Sequence, residues 1–116
     1  YLATAAPQSW TRGVGTEFLG GVGEGAPRSA GVVQAVQATP GAIGYVEKGF
    51  ADRARVPFAQ IDTGNGVVAL TEETARNAVN AVTFAARGND LVLELSSMYG
   101  IQQPTSYPLV PVTYEI

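Results

Sequence analysis

Residues 31–47 read GVVQAVQATPGAIGYVE, and this run decides the fold class. Val32, Val33, Ala35 and Val36 fall on one side of a helix with a period of about 3.6 residues, with Gln34 and Gln37 opposite. Ser29 is the expected N-cap, because its hydroxyl can accept from the orphan N–H groups of the first turn. Pro40 lacks a donor and pushes Thr39 out of the helical region, and Gly41 tolerates the reversed backbone of a sharp exit. Ile43, Tyr45 and Val46 then have β-branched and aromatic character, with Gly44 leaving room for a close neighbour, so residues 42–47 are expected as a strand. A helix that feeds a strand so directly predicts an α/β class, with a mixed sheet flanked by helices.

Working outward, residues 1–6 are expected to end a helix at Pro7, and Trp10 to anchor a short turn and the local core. Residues 13–25 hold six glycines and are expected as loop, with one short strand near 16–19. The Gly-Val-Gly-Glu-Gly run invites a phosphate-loop reading, but it completes neither GxxxxGK[ST] nor a GxGxxG set between a strand and a helix. Residues 48–55 are expected as a short helix with Phe50 inward, and 56–62 and 67–70 as strands joined by a turn containing Asn65-Gly66. Thr71 should cap a helix over 72–87, buried along Ala75, Ala78, Val79, Val82 and Ala86 and closed by Gly88. Residues 89–99 are ambiguous, since Leu91, Leu93 and Leu95 alternate as in a strand. Residues 107–116 are expected as a strand, lying on an edge or at a crossing because of Pro108 and Pro111.

At 116 residues the chain has the size of one domain with a modest core. A hydrophobic content of 46% argues for a globular chain rather than disorder. The net charge of −3, with seven scattered basic residues, argues against a nucleic-acid surface. No apolar run approaches the roughly 20 residues of a membrane span. Without histidine or cysteine, a Ser-His-acid triad, a thiol nucleophile and the usual zinc ligand sets are excluded within the segment. Glu72 and Glu73 sit where a helix N-terminus prefers acids, Glu24 and Asp62 lie beside glycine turns, and Glu47 is expected in a salt bridge or hinge contact. No catalytic residue, metal site or cofactor is expected, and the chain does not read as an enzyme.

The run GVVQAVQATPGAIGYVE resembles the signature of the periplasmic phosphate-binding proteins of Pst-type ABC transporters (PstS). Tyr1-Leu2 followed by Ser9-Trp10 is similar to that family's Tyr-Leu…Trp segment, and Tyr107-Pro108-Leu109 to Ile116 to its strand leading back toward the hinge. The resemblance implies a periplasmic-binding-protein-like (type II) fold, with residues 1–116 forming a single partial domain, most of the second lobe of a two-lobed protein. It implies binding of inorganic phosphate and delivery to a membrane permease, with a first lobe as the other intramolecular partner. The implied location is extracytoplasmic, in the periplasm or cell envelope, with lipid anchoring an option for the full-length protein. A module of the same fold for sulfate or molybdate is the alternative. In the family the principal contacts of this lobe come from an arginine followed by a Ser-Gly-Thr turn, expected upstream of Tyr1. Where the family often has a GN[DE]G-like sequence, this chain has Arg28-Ser29-Ala30-Gly31. Arg28, Ser29 and Gly31 are therefore the candidate rim of an anion site, weighed against plain helix capping and surface charge.

Overall fold

The computed structural model describes residues 1–18, 21–85 and 91–113. The chain divides into two compact units, residues 20–58 and residues 1–19 with 59–116.

Within residues 20–58 there are two helices, α2 (Arg28–Ala38) and α3 (Lys48–Ala54). The first follows α1 (Leu2–Ala5), which belongs to the other unit. The turn between α2 and the return segment is as expected: the N–H of Ala42 donates to the carbonyl of Thr39 at 3.0 Å, and Gly41 has φ +80°. Proline at the second position and a positive-φ glycine at the third are what a type II turn requires. Two polar ties join the helices. Ser29 Oγ donates to Glu47 Oε2 beside the start of α3, and Gln37 Nε2 donates to the carbonyl of Ala54 at its end, at 2.9 Å. The two helices therefore run in the same direction, with residues 42–47 returning between their ends.

Residues 42–47 form no ladder among the described residues, which corrects the expected strand. A strand exists only when a neighbour pairs with its backbone groups, and none of the described residues does so here. The alternation of a strand is nevertheless kept. Gly44 lies against α2, where an added Cβ would stand 2.8 Å from Val32 Cγ1 and 3.0 Å from Val36 Cγ2. Ile43 and Tyr45 are left 88% and 81% exposed. Burial in this unit rests on Val33 and Ala51, with Val32 and Val36 half-buried and Ala35, expected inside, exposed. Phe50 is half-buried, stacked under the Arg53 guanidinium 4.6 Å from the ring centroid.

The helix α3 ends on Arg55 in the left-handed conformation, φ +56°. The N–H of Arg55 bonds Asp52 and that of Val56 bonds Ala51, at 3.1 and 3.0 Å. This is the pattern of a Schellman closure, with arginine where glycine is usual.

In the other unit, β1 (Ile61–Asp62) and β2 (Val67–Val68) pair antiparallel, Ile61 opposite Val68. The hairpin around Asn65-Gly66 is thus as expected, but the longer strand over 56–62 shortens to its last two residues. Thr71 caps α4 (Glu72–Asn80): its hydroxyl accepts from the Thr74 N–H while Thr74 Oγ1 accepts from the Thr71 N–H. The helix stops well before residue 87. Val82, Thr83 and Phe84 favour a strand, and β3 (Thr83–Phe84) pairs antiparallel with β4 (Leu93–Glu94). Ala86, Arg87 and Gly88 lie outside the described residues, as does Leu19 of the short strand expected near 16–19; residues 16–18 are not in a strand.

The ambiguity over residues 89–99 resolves into β4 followed by α5 (Leu95–Tyr99), which buries Met98 completely. Ala78, Val68, Tyr107 and Pro108 are also buried, whereas Val79 is 42% exposed instead of belonging to the buried stripe. Trp10 is half-buried and donates to the carbonyl of Gly13 at 2.7 Å, so it pins its own loop. Residues 107–113 are not a strand: the N–H of Tyr107 goes to the carbonyl of Thr74 at 2.9 Å, and Pro108 and Pro111 have no N–H to give. The Tyr107 hydroxyl donates to the carbonyl of Ala59 at 3.1 Å, and burial raises its pKa above the ordinary phenol value, with Tyr1 adding to the shift.

Candidate functional site

Arg28, Ser29 and Gly31 share the first turn of α2. Helix starts attract anions because their first N–H groups have no partner within the helix and the macrodipole is positive there. The local chemistry differs from the expected cap. The N-cap is Pro27, without a side-chain bond, and Ser29 lies one residue inside the helix. Ser29 does not cap because it lies inside the helix, and its hydroxyl donates to Glu47. The Gly31 N–H is already used, donating to the carbonyl of Pro27 at 3.2 Å, and a Cβ at Gly31 would meet Pro27 Cδ at 3.0 Å. Arg28 is exposed, with φ +59° in the left-handed region.

Glu47 is the residue whose role sequence reasoning left open. It accepts from Ser29, and among the described residues it forms no salt bridge. The Ser29 bond, together with a weaker backbone bond, holds its pKa below the usual carboxylate value. Ser29 and Glu47 stand 18 positions apart, at the two ends of the helix-and-return unit, so only the length of that unit hinted that they would meet. A carboxylate at this point both consumes the hydroxyl and opposes the approach of an anion.

Among the described residues, each unit carries a groove. In residues 20–58, one runs between the end of α2 and the exit of α3, lined by Val36, Pro40, Ala42, Val56 and Pro57 with Arg55 among them. In the other unit, a neutral polar groove is lined by Asn77, Asn80, Ala81, Gln103, Thr105 and Ser106. The Asn77 amide donates to the carbonyl of Thr105 there, at 2.9 Å. Glu24 and Asp62 are both exposed; Asp62 accepts from the Gly64 N–H at 2.9 Å and so serves its turn. Glu72 and Glu73 lie in the first turn of α4, Glu72 paired with Arg76. Among the described residues no group of three or more acidic, histidine or cysteine side chains could hold a metal ion, and no helix is long and apolar enough to cross a membrane.

Similarity to known proteins extends from the first residue to the last. Phosphate-binding protein PstS 3 of Mycobacterium tuberculosis is 42% identical over 118 aligned residues, which take in 100% of this chain and 32% of that protein. The chain is a relative of the PstS phosphate-binding proteins. Phosphate-binding protein PstS 2 of the same organism is likewise 42% identical, and PstS 3 of Mycobacterium leprae 40%, over the same share of each chain. The chain thus spans about a third of the length of the PstS relatives it matches. No family model and no solved structure matches it.

Proposed function

We propose that this chain is part of an extracytoplasmic solute-binding protein that takes up inorganic phosphate and delivers it to the permease of an ABC importer. The observation that carries the reading is identity of 40–42% over all of this chain to proteins named for phosphate binding. In this reading residues 1–116 form most of the second lobe of a periplasmic-binding-protein-like fold, and the first lobe is the main intramolecular partner. The unpaired return segment 42–47 fits, because α2, packed on Gly44, covers one side of it while Ile43 and Tyr45 stay bare. A neighbouring strand elsewhere in the protein would complete the ladder.

In this reading Arg28, Ser29 and Gly31 form the rim of an anion site. Arg28 would supply positive charge. Ser29 could reach an anion only after releasing Glu47, and Gly31 would act by letting the backbone come close, since its N–H is engaged. The main ligands are expected elsewhere, in an arginine and a Ser-Gly-Thr turn.

Calorimetric titration of the full-length protein with phosphate, sulfate and molybdate tests the function, and tight sulfate binding without phosphate binding would overturn it. The 116-residue chain alone is expected to bind phosphate no better than millimolar, about 4 kcal/mol, because a half-enclosed anion keeps most of its hydration. Micromolar binding by the chain alone, abolished by Arg28→Ala, would move the main site into α2.

A further inference from the structure

We infer that Asn65 is a site of spontaneous chemical modification, where deamidation releases the tip of the β1–β2 hairpin from residues 102–104. Asparagine is among the thermally labile residues, and its cyclisation needs the backbone nitrogen of the next residue to reach the side-chain carbonyl carbon. Here that residue is glycine. Asn65 is exposed, and Gly66 has φ +143°, a conformation open in practice to glycine alone. With no Cβ at residue 66, nothing on that residue shields its nitrogen from the neighbouring carboxamide. In the reaction the Gly66 nitrogen attacks Asn65 Cγ, forming a new C–N bond and closing a succinimide ring. The side-chain nitrogen leaves as ammonia, carrying the proton from the Gly66 N–H. Water then opens the ring on either side, giving aspartate or isoaspartate.

The structure supplies the consequence. Asn65 Nδ2 donates to the carbonyl of Gln102 at 3.1 Å, a tie spanning 37 positions. Residues 102–104 lie on the hairpin tip: a Cβ on Gly64 would stand 3.8 Å from Gln102 Nε2, and one on Gly66 would stand 3.0 Å from Pro104 Cβ. Either product replaces the donating amide by a carboxylate, which can only accept and therefore faces the Gln102 carbonyl as acceptor against acceptor. Isoaspartate also lengthens the backbone inside a turn whose closure sets the Ile61–Val68 register. The same tie restrains the carboxamide, so the folded protein reacts more slowly at Asn65 than the unfolded chain does.

The test is peptide mapping by mass spectrometry of the intact protein held at mildly alkaline pH, with isoaspartate measured by enzymatic methylation. Asn77 and Asn80 are internal controls, since alanine comes after each. Asn65 should gain the mass difference between –NH2 and –OH at least about tenfold faster than either control, because its successor lacks a Cβ and the controls are held in α4. Equal or slower conversion at Asn65 would overturn the proposal. Gly66→Ala should bring the rate down to that of the controls; because that change strains the backbone at φ +143° and threatens folding, Asn65→Gln serves as a second variant. It keeps the donor, forms only a slow six-membered ring, and should show no mass gain. Exchange of the Thr63 N–H, which donates to Gly66 at 3.1 Å, should accelerate in the converted protein and stay slow in Asn65→Gln. Unchanged Thr63 exchange after conversion would overturn the release of the hairpin tip.

Discussion

Residues 28–58 and the region around α4 build order in opposite ways. Around α4, distant parts of the chain meet: Met98, Val68, Ala78, Tyr107 and Pro108 are buried, and Tyr107 bonds both Thr74 and Ala59. In residues 28–58 order rests on near neighbours, with a type II turn, a Schellman closure and two polar ties, while only Val33 and Ala51 are buried. The difference teaches that turn chemistry can shape a helix-and-return unit without a full core. What it cannot do is bury Ile43 and Tyr45.

If that contrast is right, the largest loss should come from Met98→Ala, since a fully buried side chain leaves a cavity; about 3 kcal/mol is expected in urea denaturation. A cost similar to that of an exposed substitution would show that the α4 region is not the better packed of the two. Next comes Gly44→Val, whose branched side chain must displace Val32 and Val36. Overpacking of this kind should cost about 2 kcal/mol, and an unchanged midpoint would mean that the return segment does not press on α2. Removing the cap with Thr71→Ala should cost about 1 kcal/mol, read by the same denaturation. Arg55→Gly should instead stabilise α3 by about 1 kcal/mol, because glycine relieves the left-handed strain at φ +56°.

The smallest effect is that of pH. The Glu47 pKa is lowered in the folded state by the Ser29 bond, so any stability it adds is present above the unfolded carboxylate value and is lost as pH falls through the folded one. A carboxyl-carbon NMR titration should find Glu47 titrating below an ordinary glutamate, and Ser29→Ala should bring it back up. A titration unchanged by Ser29→Ala would break the tie between the two helix starts.

The amino-acid sequence by itself determined the features that close over a few residues. Thr39-Pro40-Gly41 encodes its turn through one missing donor and one positive-φ glycine, Asn65-Gly66 its hairpin, and Thr71 its helix start, all through bonds to adjacent backbone. The α/β class and the likeness to phosphate-binding proteins were legible in the same way, from the run over residues 31–47 and its periodicity. Tertiary structure decided what depends on distant partners. Residues 42–47 have a strand's alternation but no neighbour to complete a ladder, and residues 107–113 give their first N–H to a helix carbonyl. The helix expected over 72–87 gives way at Asn80 because β4 offers Thr83 and Phe84 a pairing that helical periodicity does not reveal. That Arg28, Ser29 and Gly31 share the start of α2 was readable, but the engagement of Ser29 by Glu47 was not. A hydrogen bond between groups 18 positions apart exists only once the helix, the turn and the return have been folded to the same length.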